Sequence, residues 1–290
     1  MKPLYIHSFS SYTGAPTVEV QWLKAEITRY SPVSFRRANR FILLTLLGAC
    51  QCIHGRSLAA DTAVYLTTEH GNLGETATVL DEMEGDHSLP KPFGFINTMS
   101  GTATFYLAQT LGAKGRNITV SSQHLSFERG MELLALDFSG ALESSALIGG
   151  VDEASSSGEN SGEANPRDWP IADGSGWFYL KSEREGACGA FGANRGFRDA
   201  AACIAWIGKR DDATVDLLSF GALVGKEEAA VLKRALRPVA EFDYLKDGGY
   251  CGSATACGIG RFMGQFQGRS LVHINKDRRG NYTVLEVERY

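Results

Sequence analysis

From residue 37 to residue 50 the apolar side chains return at helical intervals, with Phe41, Leu44, Thr45 and Leu47 on one face. Arg36, Arg37 and Arg40 precede or flank that face, so the pattern predicts a helix. The run DTAVYLT over 61–67 predicts a strand, and two helices follow over 74–84 and 101–111, the second closed by a turn over 112–115. Residues 117–130, NITVSSQHLSFERG, change within a few positions from a β-rich run (strand 118–121) through an abrupt polar turn to an amphipathic helix over 127–138. SALIGGV over 145–151 predicts a buried strand.

Between 154 and 173 the pattern stops. ASSSGENSGEANPRDWPIAD is rich in serine, glycine, asparagine and acid, and predicts a flexible surface loop. Strands are expected again over 5–8, 176–181, 200–207 and 215–219. Helices are expected over 226–236 and 253–266, before a closing hairpin of 270–275 and 282–288 around the polar turn KDRRG. The whole reads as alternating α/β in a single domain over 1–290, with an N-terminal half to 153 and a C-terminal half from 174. No repeat can be seen by residue identity.

Composition changes this picture little. The chain has 290 residues, 43% of them apolar, enough for a substantial core. A net charge of −4 gives no general reason to expect a nucleic-acid partner. The likeliest lipid-crossing stretch, FILLTLLGA over 41–49, falls far short of the roughly 20 residues a span needs. The first residues carry no signal-peptide pattern, so a cytoplasmic location is expected. The six histidines form no HxH or HExxH pattern, and no metal or other cofactor is expected. The six cysteines (50, 52, 188, 203, 251 and 257) are expected to be mostly structural thiols.

The candidate chemistry concentrates at 117–130. Small residues at a strand–turn–helix junction are where an α/β fold exposes a nucleophile near the positive end of a helix. Here the apex offers Gln123 and His124, and the flanking cysteines nearest in sequence, Cys52 and Cys188, are far away along the chain.

The order of landmarks resembles the β-ketoacyl synthases of the thiolase fold. FRRANRFILLTLLGA (35–49) resembles their early arginine-capped helix. KPFGFINTMSGTATFYLAQTLGAKGRNITVSS (91–122) resembles the segment that crosses their dimer interface toward the nucleophile. SALIGGVDE resembles their xxxAGGxE strand, IADGSGWFYL a shortened form of their DGxxxGEGAGxLxL element, and NYTVLEVERY their final strand, all in the right order. The resemblance implies a layered αβαβα fold of two similar halves, shortened here especially in the C-terminal half, and an obligate dimer.

The same resemblance supplies a test of activity. The family's cysteine falls on His124, or on Gln123 if the alignment slips by one. Its first histidine falls on Phe220, its second on Gly252, and the lysine before that on about Asp247. All three catalytic positions are therefore expected to be empty, with no catalytic residue in the chain. The resemblance then implies a chain-length factor: a subunit that pairs with an active ketosynthase and helps form its acyl tunnel, meeting an acyl carrier protein transiently. The compact type of bacterial aryl polyene pathways is the nearest in character. Met99, Thr102, Ala103, Phe105, Tyr106 and Leu107 are the expected interface or tunnel residues. Two other readings stand beside it: a self-sufficient acyltransferase or condensing enzyme using Cys251 or Cys257, and a carrier-protein-binding scaffold presenting Arg36, Arg37, Arg40 and Arg129. Asp152, Glu153 and Asp173 are expected to order loops.

Overall fold

The structure is a computed structural model that describes residues 3–32, 36–85, 87–154, 169–209, 215–265 and 267–290. Its first half runs β1 (Leu4–Gly14), α1 (Val20–Ile27), α2 (Arg40–Cys52), β2 (Ala63–Thr67), α3 (Leu73–Glu84), α4 (Pro92–Asn97), α5 (Ser100–Leu111), β3 (Asn117–Val120), α6 (Ser126–Ser139), β4 (Ser145–Asp152) and β5 (Asp173–Lys181). The second runs β6 (Gly189–Phe197), α7 (Ala200–Ile207), β7 (Leu217–Phe220), α8 (Lys226–Leu236), β8 (Ala240–Glu241), α9 (Tyr244–Gly248), α10 (Ala254–Gly264), β9 (Ser270–Lys276) and β10 (Tyr282–Arg289).

The strands lie in the order β3-β2-β4-β5-β1-β6-β10-β9-β7-β8. Read from each edge inward, both halves follow one path: third, second, fourth, fifth, first. Within each half the second strand is parallel to the third and fourth. The remaining neighbours are antiparallel. A repeat invisible by residue identity is thus explicit in the topology, and its boundary falls between Lys181 and Gly189. The two sheets join where Leu4, Tyr5 and Ile6 pair with Phe191, Ala190 and Gly189.

Side chains of successive strand residues point to opposite faces, and this alternation builds the layers. Ala63 and Tyr65 of β2, with Phe178 and Leu180 of β5, face a central cluster. Phe127, Met131 and Leu134 of α6 and Ala256, Ile259 and Phe262 of α10 fill it, and Leu271, Leu285 and Val287 close it from the C-terminal sheet. The alternate residues Val64, Leu66, Trp177 and Tyr179 face α1, α2 and α5. On the far side Leu218, Val272, Ile274 and Val284 face α7 and α8. Five layers result, αβαβα, as the family resemblance implies.

Local chemistry explains the element ends. Asn39 caps α2, its side chain accepting from the Ile42 N–H at 3.2 Å. Asp199 does the same for α7 through Ala202 at 2.8 Å. That cap overturns the expected strand over 200–207. The apolar run ACIAWI has no turn signal inside it, and burying Cys203 and Ile207 one helical turn apart satisfies it as a helix. Strand β6, GAFGANRGF, was not expected because its glycines and alanines carry no apolar alternation. Helices α1, α4 and α9 and strand β8 were also outside the sequence expectation, while β5 begins at Asp173 rather than 176.

Of the expected flexible loop over 154–173, residues 155–168 lie outside the described residues. Its end is ordered: Trp169 is buried, and Pro170 and Ala172 exchange backbone hydrogen bonds with Tyr250.

Gly149 in β4 pairs with Trp177 in β5, and a Cβ at 149 would lie 2.0 Å from the indole. Gly149→Ala is expected to destabilise the protein by about 1–3 kcal/mol through overpacking. Urea denaturation checks this; an unchanged midpoint would mean that the indole has room to swing aside.

Candidate functional site at the strand–helix elbow

The ends of β2, β3 and β4 converge on the N-termini of α6 and α10. At the β3–α6 turn Gln123 adopts a left-handed backbone, φ 51°, which a side chain with a Cβ enters only at a cost. The turn holds it there: Ser126 Oγ accepts from the Ser122 N–H at 2.9 Å and donates to the Gln123 carbonyl at 2.6 Å. Ser121, Ser122 and Gln123 are exposed. Of the two residues expected at the nucleophile position, Gln123 therefore occupies the apex of the elbow, and His124 begins the descent into the protein.

His124 is engaged on every side. Its Nδ1 lies 2.9 Å from Glu69 Oε1, Arg278 Nε donates to its Nε2 at 3.3 Å, and Asn275 Nδ2 donates to its carbonyl at 2.9 Å. Nε2 accepts from Arg278 and Nδ1 faces the Glu69 carboxylate, so the ring is held between Glu69 of the first half and the β9–β10 turn of the second.

Glu69 follows β2 and packs beside Asp152, the last residue of β4. Asp152 accepts from Thr68 Oγ1 at 2.7 Å and from the backbone N–H groups of Glu69 and His70. A Cβ at Gly252 would meet Glu69 Cβ at 2.4 Å and both Asp152 Oδ2 and Glu69 Oε2 at 2.8 Å. The volume that a side chain at 252 would need is thus filled by two carboxylates. Glu69 Oε2 has no hydrogen-bond partner among the described residues.

The Asp152 carboxyl is accordingly raised to about 7, mainly by burial, against the opposing hydrogen bonds from Thr68, His70 and Glu69. The sequence pattern points to loop ordering for Asp152 and does not single out Glu69. Both are identifiable only once the fold brings positions 69, 152 and 252 together.

The other expected positions lie elsewhere. Phe220 ends β7 with its ring buried in the outer cluster of the C-terminal sheet, on the face away from α6 and α10. Asp247 is exposed on α9. Cys251 is buried at the start of α10, and its thiol is pushed well above its ordinary value by hydrogen bonding to Cys257 and by burial. Burial likewise pushes Cys50, Cys52 and Cys203 up to about 12. A thiol held neutral in this way is a poor nucleophile at pH 7. Among the described residues no group of three or more metal-binding side chains occurs, and no helix is long and apolar enough to cross a membrane.

A second polar group lies under α6, and the sequence did not suggest it. Ser219 Oγ is 2.9 Å from His273 Nδ1, and His273 Nε2 is 3.3 Å from Thr255 Oγ1. Thr255 Oγ1 and Asn275 Nδ2 both donate to Glu128 Oε1, at 3.1 and 2.8 Å. Serine, histidine and glutamate occur in hydrolase-like order, yet all three are sealed in the core and no substrate carbonyl can reach Ser219.

The expected interface residues divide in two. Ala103 and Leu107 pack into the protein's own core with α2, which corrects their assignment to a partner-facing surface. Tyr106 and Thr102 are half-buried, while Met99 and Phe105 are exposed, Phe105 at 60%. Phe93, Phe95 and Ile96 of the adjoining α4 are also exposed. The short strand β3 beside α5 is one of the sheet's two edges.

No protein-family model matches the sequence, and no curated protein matches it. Solved structures do resemble the fold. The ishigamide ketosynthase/chain length factor has a TM-score of 0.72 at 15% identity, covering 100% of this chain and 99% of that one. A ketosynthase (ApeO) in complex with its chain length factor (ApeC) from Xenorhabdus doucetiae has a TM-score of 0.74 at 14% identity, covering 100% and 98%. A type II polyketide synthase acyl-carrier protein in complex with its ketosynthase bound to the hexaketide (AntDE:AntF) has a TM-score of 0.73 at 9% identity, covering 100% and 99%. The chain has the fold of these ketosynthase and chain-length-factor proteins.

The raised Asp152 gives a signed pH prediction. Its folded-state value of about 7 lies above the unfolded value near 4, so the folded state holds the extra proton between them. That contribution to stability is complete below about pH 4 and is lost as pH rises through 7, amounting to a few kcal/mol. Asp152→Asn is expected to flatten stability against pH in that window. Denaturation midpoints measured from pH 4 to 8 test it; identical slopes in both proteins would remove Asp152 as the cause.

Proposed function

We propose that this chain is a non-catalytic, ketosynthase-like chain-length factor, pairing with an active ketosynthase in type II polyketide synthesis. The observation that carries the reading is the elbow itself. The backbone geometry suited to presenting a nucleophile is kept, but its apex is an amide, Gln123, and the next side chain, His124, is held by Glu69 and Arg278. Thioester exchange needs a nucleophile that both attacks and leaves, a role that thiolate fills at neutral pH and an amide does not. Gly252 and the outward-facing Phe220 offer no side-chain donor toward a developing enolate. The vestigial positions are therefore Gln123, His124, Phe220 and Gly252.

Assembly is the other half of the reading. An open edge strand next to exposed aromatic side chains is a surface that natural proteins cover. The active ketosynthase would lie against β3 and the exposed side of α4 and α5, where Met99, Phe105 and, in part, Thr102 and Tyr106 meet its acyl tunnel. Basic Arg36 and Arg37 near that surface suit the approach of an acidic carrier protein. The compact, doubly histidine-less character favours the aryl polyene type, working in the cytoplasm.

Two experiments test the proposal. Intact mass measurement after incubation with acyl-loaded carrier protein should find no acyl group on the purified chain. An adduct that disappears in His124→Ala would overturn the non-catalytic reading, and one lost in Cys251→Ser would transfer the activity to that thiol. Co-expression with a candidate ketosynthase should give a one-to-one complex. An obligate interface of this kind buries at least about 2,000 Å² of largely apolar surface. Phe105→Asp should abolish the complex while circular dichroism of the variant remains native; an undiminished complex on gel filtration would move the interface elsewhere.

A further inference from the structure

The opposite end of β7 and β9 from the elbow carries a different feature. Arg184, Arg269 and Arg289 line one cavity of about 630 Å³, together with Asp216, Ser270 and Tyr290. The volume lies within the range of small-molecule sites. Two of the three guanidinium groups are already positioned. Arg184 lies over the Tyr290 ring at 4.7 Å, and Arg289 donates Nη2 to the Gly268 carbonyl at 2.8 Å. Arg269 is exposed, with its backbone N–H on Asp216 Oδ2 at 2.9 Å.

Asp216 does not neutralise this group by an ion pair. Its Oδ2 is taken by the backbone N–H groups of Arg269 and Ser270. Glu288 also borders the cavity, so the lining of described side chains holds three positive and two negative groups. Three arginines against two carboxylates leave the cavity a net positive charge that attracts an anion. Their planar forks match phosphate oxygens two at a time, and arms held in advance lose less freedom on binding.

We propose that this cavity binds the phosphate group of a small molecule, a phosphomonoester or diphosphate, with Arg184, Arg269 and Arg289 as its clamp. The site stands apart from the elbow and from the surface assigned to a ketosynthase, and it does not depend on the chain-length-factor reading.

Isothermal titration calorimetry with inorganic pyrophosphate on the full chain, in low-salt buffer, tests it directly. Saturable one-to-one binding is expected. Loss of one charged hydrogen-bonding arm should weaken it roughly tenfold in Arg184→Gln and again in Arg269→Gln. Arg289 is left intact because it also holds the Gly268 carbonyl. Arg234→Gln, on the exposed side of α8, should bind as the parent does. Absence of saturable binding to the parent protein would overturn the proposal. Equal weakening by Arg234→Gln would overturn it as well, because it would mark diffuse attraction to the whole surface.

Discussion

A helix covered by a sheet on each side has no face left for water, and most of this molecule follows from that constraint. Helices α6 and α10 share the central layer, so the strands above and below must both present apolar residues inward. The approach is close enough that backbone meets backbone: a Cβ at Gly176 of β5 would lie 2.6 Å from the Ala256 carbonyl carbon. Polar groups that enter the layer must find partners there, which is why Glu128, Thr255, His273 and Asn275 bond to one another. The same constraint brings the N-termini of both helices to one end of the protein, where the elbow, Glu69, Asp152 and Gly252 meet.

Much of this was legible in the residues. Helices with one apolar face and two or more turns, such as α6 and α8, were readable because packing rewards that periodicity. The hairpin of β9 and β10 was readable from two β-rich runs around a polar turn. Helix α7 was misread because eight mostly apolar residues have no period long enough to separate helix from strand, and the decisive contact is a cap from Asp199. Strand β6 was missed because glycine and alanine pair through backbone alone. The repeat is implied by the family resemblance but invisible by residue identity, since the two halves share a path through space and not side chains.

At the site, the elbow was legible as a strand–turn–helix transition, and Gln123 and His124 were placed on it. The partners of His124 were not, because Glu69 and Arg278 lie far from it in the chain. Ala103 and Leu107 show the reverse failure. They lie on α5 as the spacing predicts, but helical spacing alone does not say whether a face looks into the protein or out of it. Here α2 occupies the side they face.

The two halves are interleaved rather than merely adjacent. Helix α10, made late, covers the inner face of strands β1, β4 and β5, which are made early. During synthesis the part of the first sheet that α10 covers, at Gly176 of β5 and Ser10 of β1, must therefore wait open until residues 254–264 have left the ribosome. For that interval the nascent chain is a natural client for a chaperone, and its yield in a cell will depend on how that wait is managed as much as on the stability of the finished fold.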